Sequence, residues 1–371
     1  MEFVRAVIVG AGASTSTPML SCIASGTPCS NCMDALTYQP SILRNSNNDD
    51  KSYISKSRNH RLNPCFLLQL RHPTDHTIHN ILIDCGKTFR ESAIKVFPSF
   101  GVSDLSAVLL THDHADAVFG LDDLREFNRP DTPLEVFGDE RTLRCMKNVY
   151  PYLFPKDGPA VVGAWRKNKT GFIAAIKWDS FTPLEKLTIH IPSRVSQTPN
   201  GDSTPETKTP SIDTSEENHS TSVAWSVVPI PVLHGRDYYS NAFLIPLHSA
   251  NETPRLLLYV SDISVVDEAF FKNVAHAKTL LGVPVTTPIE VLVLDMLSHH
   301  VYFAHLSVEA AIQAAQEIKA KKTFFVGMAH SLNYTALTQH LGELGFGESM
   351  AVGFDGCVVA DNSEGGLHPN L

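Results

Sequence analysis

Two histidines and an aspartate lie close together at His112, His114 and Asp116, directly after an apolar run that ends at Leu110. In extended backbone, side chains two residues apart point to the same side, so His112 and His114 converge. Imidazole nitrogens and carboxylate oxygens are ligands that suit a transition metal. The spacing therefore predicts a metal site, and the alternative is a pair of surface histidines in a turn.

Four other apolar runs are followed in the same way by a residue that can bind a metal or support a ligand: Asp84, His234, Asp262 and His330. Strands that end at one edge of a sheet bring such residues together on a rigid frame. The sequence therefore predicts strands that converge on a single metal-binding edge.

These motifs, in this order, resemble those of the metallo-β-lactamase superfamily of metallo-hydrolases. The segments LIDCG, THDHADA, VLHG, YVSD and MAHS are similar to its five motifs, and the likeness spans roughly residues 4–360. The loop GAGASTSTP, the cysteines behind it and His305 most resemble the branch of the phosphonate-pathway cyclic phosphodiesterase and the tRNA 3′-processing endonuclease. The resemblance implies an α+β fold, an αβ/βα sandwich of two β-sheets flanked by helices.

The resemblance also implies two metal positions, for Zn²⁺ or Mn²⁺, that share the carboxylate of Asp262. The first position would be completed by three histidines: His112, His114 and His234. The second would be completed by Asp116 and His330. One or two catalytic metals are expected, because Ala117 stands where the superfamily signature has its last histidine. The second site is therefore expected to be weaker, and Ala117→His is expected to tighten it if the pocket has room.

Two further residues are assigned roles by the resemblance. Asp84 would brace the His112 loop without binding the metal. His305 matches a histidine that acts as general acid or phosphate contact, and with Asp262 it is the expected catalytic pair. The alternative for His305 is a histidine that lies near the N-cap of the helix beginning at Ser307.

Three cysteines, Cys22, Cys29 and Cys32, form a second candidate metal site. In a reducing compartment a CxxC pair indicates zinc or redox chemistry. The resembled phosphodiesterase carries a structural zinc on such a loop, with pattern CxCxxC. Here Thr27 takes the first place, and Asn333 takes the place of the expected fourth ligand. An additional structural Zn²⁺ is predicted, with free thiols as the alternative.

The composition is that of a globular chain without a strong attraction for polyanions. Of 371 residues, 43% are hydrophobic, and 39 acidic against 30 basic side chains leave a formal charge of −9. That balance argues against a broad surface for duplex nucleic acid or an anionic membrane. The apolar runs are far shorter than the ~20 residues of a membrane helix, and the N-terminus makes a poor secretory signal. We expect a cytoplasmic or nuclear protein.

The apolar pattern predicts strands, helices and one domain over residues 1–371, with polar insertions at about 45–61 and 196–221. Helices are predicted over residues 117–128, where apolar residues recur every three positions, and 307–321, with Ser307 as N-cap. Strand and glycine loop at Gly10 and Gly12 resemble a dinucleotide site, but the missing third glycine favours a tight loop. Strands are predicted over residues 4–9, 66–70, 78–83, 105–110, 223–232, 242–246, 256–260, 291–294 and, as the last one, 324–326.

The function that follows from these residues is metal-dependent hydrolysis, most simply of a phosphodiester. A small phosphodiester or nucleotide-like substrate is expected, duplex nucleic acid and membrane are not, and a homodimer is left open. Three alternatives stay open: a thioesterase or lactonase that uses the same metals, a tRNA-processing enzyme, and a degenerate metal-binding protein without activity.

Overall fold

The computed structural model describes residues 1–37, 57–127, 133–154, 176–194, 222–247 and 252–362. Within these ranges the chain forms two sheets of seven strands each. The first sheet contains β1 (Glu2–Gly10), β2 (Cys65–Arg71), β3 (Ile78–Ile83), β4 (Ala107–Leu109), β5 (Leu134–Asp139), β6 (Ile176–Phe181) and β14 (Cys357–Asp361). The second contains β7 (Leu187–Pro192), β8 (Ser222–Leu233), β9 (Tyr239–Pro246), β10 (Leu256–Val260), β11 (Ile289–Asp295), β12 (Lys322–Val326) and β13 (Met350–Val352).

The two sheets share one pattern of strand direction. The first runs in the order β14-β1-β2-β3-β4-β5-β6 and the second in the order β13-β12-β11-β10-β9-β8-β7. In the first sheet β14 to β3 pair antiparallel and β3 to β6 pair parallel. In the second, β7 to β10 pair antiparallel and β10 to β13 pair parallel. Parallel neighbours end at the same edge of a sheet, so the chain following β3, β4, β10, β11 and β12 collects at one side.

Eight α-helices lie in the described ranges, and the longer ones begin at side chains that cap them. Ser307 accepts a hydrogen bond from the backbone N–H of Ala310, which confirms the predicted N-cap. The helices are α1 (Leu20–Ala24), α2 (Ser30–Leu36), α3 (Phe89–Val96), α4 (Ala115–Val118), α5 (Glu140–Val149), α6 (Glu268–Leu280), α7 (Val308–Ile318) and α8 (Tyr334–Glu343).

Two apolar cores hold these layers together. The larger lies between the sheets, where the rings of Phe66 and Tyr259 are 5.0 Å apart. The smaller lies on the outer face of the first sheet, where Phe89, Val108 and Met146 are buried together. Fully burying a side chain of this size contributes ~1.5–3 kcal/mol, so the two cores together stabilise both sheets and fix the positions of the strand ends.

The predicted strands are present in the structure, with two differences in the neighbouring elements. The strand over 324–326 is not the last one, because β13 and β14 follow it. The helix predicted over 117–128 is instead the short α4 followed by a 3₁₀ helix, Leu121–Phe127. An apolar residue at every third position matches the three residues per turn of a 3₁₀ helix better than the 3.6 of an α-helix.

The polar insertion predicted over 45–61 is wrong for its last five residues. Arg61 is fully buried and Ser57, Asn59 and His60 are each 6% exposed. These polar side chains are buried because they hydrogen-bond to one another and to surrounding backbone. Residues 45–56, and the insertion at 196–221, lie outside the described residues.

The glycine loop after β1 is a tight packing loop, as predicted. A Cβ on Gly10 would lie 1.9 Å from the carbonyl oxygen of Asn63, and one on Gly12 would lie 2.7 Å from that of Arg61. The glycines therefore let the chain approach the segment before β2. None of the helices in the described ranges has the length and apolar character needed to cross a bilayer.

Candidate metal centre

Three histidines converge at the edge where β4 and β8 end. The ring centroids of His112 and His114 lie 4.6 Å apart, and those of His112 and His234 lie 5.2 Å apart. One ligand atom from each of the three lies within 4.8 Å of the other two. The predicted convergence of His112 and His114 is present, and the chain after β8 adds the third ring.

His112 presents a free ring nitrogen to this cluster. Its Nδ1 is 2.8 Å from the hydroxyl of Thr111, and that hydroxyl donates to Oδ2 of Asp84 at 2.8 Å. Asp84 also accepts the backbone N–H of Thr111. Because the hydroxyl proton goes to Asp84, Thr111 accepts a proton from Nδ1, which leaves the Nε2 lone pair facing the cluster. Asp84 therefore orients His112, in agreement with the bracing role that the resemblance implies. The contact is made through the hydroxyl of Thr111, which was not predicted.

His234 is oriented in the same way by the loop that follows β11. Its Nδ1 donates to the backbone oxygen of Ala304 at 2.8 Å, so its Nε2 carries the lone pair. That Nε2 lies 3.3 Å from Nδ1 of His114 and 3.9 Å from Oδ1 of Asp262. The 3.3 Å separation allows a hydrogen bond if Nδ1 of His114 carries the proton, and it allows both lone pairs to bind one cation if it does not.

The residues present therefore fit a divalent metal. Nε2 of His112 is buried and has no hydrogen-bond partner within the described part of the chain, an arrangement that costs free energy unless a ligand satisfies it. Burial, aided by the neighbouring His234 and His114, lowers the pKa of His112 to about 3, so the ring is neutral near pH 7. Neutral imidazoles plus a carboxylate are a donor set for zinc or a similar ion.

Two carboxylates adjoin the three histidines. Asp262 is buried, and although burial opposes it, the surrounding His112, His234 and His305 lower its pKa, so it is ionised. Burial and the nearby charge of Asp262 raise the pKa of Asp116 to about 6. Asp262 is thus ready to bind a cation, while Asp116 gains its charge near neutral pH or when a cation is close.

His305 stands beside the cluster and is paired with an aspartate that sequence reasoning missed. Its Nδ1 lies 3.0 Å and 3.2 Å from the two carboxylate oxygens of Asp295, which is fully buried. Burial alone would lower the pKa of His305, but Asp295, Asp262 and Asp116 raise it to about 9. Asp295 ends β11 just as other acids follow their strands, and that signal in VLVLD could have found it.

The position of Asp295 depends on a glycine after β12. Gly327 has φ +77°, and a Cβ there would lie 2.7 Å from Oδ1 of Asp295. Asp295 also accepts the backbone N–H of Leu306 at 3.1 Å, which ties it to the residue after His305. The glycine therefore leaves the space that the His305–Asp295 pair occupies.

The four residues of the cysteine cluster include one that was expected elsewhere. Nδ1 of His330 lies 3.4 Å from Sγ of both Cys29 and Cys32, and a ligand atom of Cys22 lies within 4.8 Å of all three. Three thiols and one imidazole are a common ligand set for structural zinc. Burial raises the pKa of a thiol, but hydrogen bonds from the Cys32 backbone and His330 outweigh it at Cys29 and lower its pKa to about 6.

The assignment of His330 to a second catalytic metal is therefore corrected. The loop after β12 turns its ring toward α1 and α2, and Asn31 fixes that loop by donating to the backbone oxygen of His330. The fourth residue of the cluster is His330 rather than the residue at position 333, and Asn333 caps α8 and bonds to Asn31. The CxxC motif alone could not identify His330 as the fourth residue of the cluster, because His330 lies about 300 residues further along the chain.

The space beside Ala117 is filled, so the condition attached to Ala117→His is not met. Ala117 is 2% exposed and belongs to the smaller core, with its backbone oxygen accepting the N–H of Cys85. An imidazole there would have to displace core side chains. Among the described residues, the second metal position thus lacks His330, which the resemblance assigned to it, and also the histidine that the superfamily signature has at position 117.

Tyr238 supports the exposed side of the centre and was not predicted. Its ring stacks on that of His114 at 4.6 Å and 8°, its hydroxyl bonds to Asp113, and the guanidinium of Arg141 covers its other face at 4.1 Å. Stacking between fixed rings restricts the rotation of His114. This arrangement orients the most exposed of the three histidines.

The sequence signature of the Beta-lactamase superfamily domain matches residues 79–212. A diphosphatase from the PhnP family has a similar structure, with a TM-score of 0.60 and 19% identity, covering 96% of this chain and 98% of that chain. Zn²⁺-bound PqqB from Methylobacterium extorquens gives 0.57 at 14% identity, covering 96% and 99%. The metallo-β-lactamase fold protein YhfI from Bacillus subtilis gives 0.53 at 12%, covering 96% and 99%. At these identities the likeness establishes the fold.

One curated relative matches a short stretch of sequence. Over 79 residues the chain is 40% identical to an octanoyltransferase from Porphyromonas gingivalis (strain ATCC BAA-308 / W83). The match covers 21% of this chain and 15% of that protein, so the chain spans less than a sixth of the relative's length.

Proposed function

We propose that the chain is a metal-dependent hydrolase of the metallo-β-lactamase superfamily, and that it is a phosphodiesterase whose metal is held by four residues: His112, His114, His234 and Asp262. The observation that carries the substrate class is the His305–Asp295 pair beside the metal ligands. A protonated imidazole at that place can contact a phosphate oxygen and protonate an alkoxide leaving group. A carboxylic thioester would need no such donor, because a thiolate leaves readily.

The chain's own residues prepare the site for this reaction. When bound, the metal supplies a water whose pKa is lowered toward about 7 and hence a nucleophile near neutral pH. Asp84 and Thr111 hold His112 in the tautomer that leaves Nε2 free. Asp295 holds His305 protonated, so its proton is available for the leaving oxygen.

We infer one tightly held catalytic metal. Three imidazoles and Asp262 serve the first position. Of the residues that the resemblance assigned to the second position, only Asp116 and Asp262 remain. A further metal would need His305 as a ligand, and that would withdraw its proton from catalysis. A second metal, if Zn²⁺ or Mn²⁺ is supplied in excess, is expected to bind at least ~10-fold more weakly.

We also infer a structural Zn²⁺ at Cys22, Cys29, Cys32 and His330. Its role is to join α1 and α2 to the loop after β12. Cys29→Ser should lower zinc content by about one ion per chain and lower the melting temperature. Unchanged zinc content in this variant would contradict the structural site without affecting the catalytic one.

The proposed function is tested with bis(p-nitrophenyl) phosphate and the Mn²⁺- or Zn²⁺-loaded protein. His112→Ala should reduce the rate at least ~10²-fold, because it removes a metal ligand. His340→Ala, an exposed histidine in the last turn of α8, is the matched control and should keep the wild-type rate. Wild-type hydrolysis that survives both chelation and His112→Ala would overturn the metal-dependent mechanism.

A thioesterase is the second candidate, and the stretch shared with an octanoyltransferase is the observation that favours it. An octanoyl thioester is the probe for this reading. Metal-dependent cleavage of the thioester with no cleavage of phosphodiesters would replace the proposed substrate class. A protein that binds its metal and cleaves neither would be the degenerate binding protein.

A further inference from the structure

Three consecutive large apolar residues are exposed in the segment between β11 and His305. Val301 is 87% exposed, Tyr302 52% and Phe303 74%. Single exposed apolar residues are ordinary, but contiguous ones at the mouth of a site indicate a binding surface. The segment that carries them, residues 299–304, is called the aromatic loop below.

The aromatic loop is anchored at both ends to the catalytic centre. At its C-terminal end the backbone oxygen of Ala304 accepts Nδ1–H of His234, and His305 follows directly. At its base, the backbone N–H of Leu297 donates to Leu306 and that of Val308 donates to Ser298, each at 2.9 Å. A change in the conformation of the loop would therefore move His234 and His305, and the same hydrogen bonds fix the position of the loop.

Phe303 lies beside the glycine that follows His234. A Cβ on Gly235 would lie 3.5 Å from Cε2 and 3.7 Å from Cδ2 of Phe303, so one edge of the ring adjoins this glycine. The residue is nevertheless 74% exposed, so most of the ring is accessible to a ligand. An exposed aromatic ring beside a site can stack against a second planar or apolar group.

The place of the ring relative to His305 decides which half of a substrate it meets. In the proposed hydrolysis the water oxygen bonds to phosphorus, the bond from phosphorus to the leaving oxygen breaks, and His305 gives its proton to that oxygen. The leaving group therefore lies on the His305 side of phosphorus. Phe303 is close to that side, because it is two residues before His305 and its ring edge adjoins Gly235, next to His234.

We propose that the aromatic loop, through Phe303, is the leaving-group subsite and that the natural leaving group is apolar or aromatic, such as a nucleoside or an aryl or acyl-bearing alcohol. This inference rests on the proposed function. It makes Phe303 a specificity-determining residue whose contribution depends on the leaving group.

The test compares two uncleaved phosphonate monoesters of equal charge, ethyl methylphosphonate and 2-phenylethyl methylphosphonate, by calorimetry with metal-loaded protein. Wild type should bind the phenylethyl compound ~10-fold more tightly. Phe303→Ala should lose that preference and keep its affinity for the ethyl compound, while Phe303→Trp should keep the preference. Val285→Ala is the control, because it removes another exposed apolar side chain, before the N-terminal end of β11 and away from His305. It should behave as wild type.

Equal wild-type affinity for the two compounds would overturn the subsite, and so would an equal loss of both in Phe303→Ala. Sedimentation of both proteins supplies the remaining outcome: a dimer that Phe303→Ala converts to a monomer would make the loop an interface between copies of this chain. The proposed function is judged separately, because a protein that discriminates between the phosphonates but cleaves no phosphodiester would retain the subsite and lose the phosphodiesterase assignment.

Discussion

Gly327 offers a sharp test of the His305–Asp295 pair, because an added methyl group would meet Asp295 directly. Gly327→Ala adds a Cβ at 2.7 Å from Oδ1 of Asp295, where ordinary contact begins at 3.4 Å. The carboxylate has little freedom to move, since it is buried and accepts hydrogen bonds from Leu306 and His305. The pair must therefore shift by several tenths of an ångström.

The substitution also has a backbone cost that a matched control isolates. A residue with a side chain at φ +77° pays ~1–2 kcal/mol for the left-handed conformation. Gly345 has φ +81° and nothing within 4 Å of its Cβ position, so Gly345→Ala pays the backbone cost alone. Both variants should melt a few degrees below wild type, and Gly327→Ala should melt lowest.

The assay is hydrolysis of two phosphodiesters, one with a nitrophenolate and one with an alkoxide leaving group. Gly327→Ala should lose at least ~10²-fold on the alkoxide ester, because general-acid catalysis typically contributes ~10²–10⁴-fold. It should lose much less on the nitrophenyl ester, which needs no proton. Gly345→Ala should lose neither. Equal losses on the two esters, or no loss beyond that of Gly345→Ala, would refute the assignment of His305 as proton donor.

Three further predictions concern residues outside this pair. Lys95→Met should cost ~3–5 kcal/mol in urea unfolding, because it removes the ammonium that lies 2.9 Å from the buried carboxylate of Asp355. Lys272→Met, in an exposed pair with Glu268, should cost below ~0.5 kcal/mol. Equal small losses would contradict a stabilising buried pair. Ala117→His should destabilise by ~1–3 kcal/mol and not tighten metal binding in a titration, and tighter binding would show room beside the site. Burial, with Arg194 and His72, lowers the pKa of His79 to about 4 from an unfolded value of 6.5. The folded state therefore binds fewer protons between these values, so stability falls as pH drops below 6.5, by ~2 kcal/mol from pH 7 to pH 5, and His79→Gln should remove that part of the loss.

Sequence order by itself determined where the ligand-bearing residues would stand. Each apolar strand ends at the residue that matters, so His112, His234 and Asp262 could be placed at strand ends from local patterns alone. The pattern is informative because a run of apolar residues, and the strand that it predicts, depend on residues that are neighbours in the sequence. The same local rule could have included Asp295, which ends β11.

The tertiary structure decided which of those residues share a site. His330 follows its strand like the others, yet its ring lies among cysteines about 300 residues away because α1 and α2 pack against that loop. The burial of Arg61 was equally hidden, since its guanidinium donates to the backbone oxygens of Ala329 and Leu332. Polar composition indicates an exposed segment unless distant acceptors are known.

Ala117 shows the same division most plainly. The sequence determined that one imidazole is absent from the signature, but it could not determine whether the space left behind is part of the site. Packing against the smaller core decided that, because consecutive side chains in a helix are rotated by ~100°, so Ala117 faces the core while Asp116 faces the site. The sequence sets which residues are neighbours along the chain. The packing of the two sheets and their helices sets which distant residues face each other in the site.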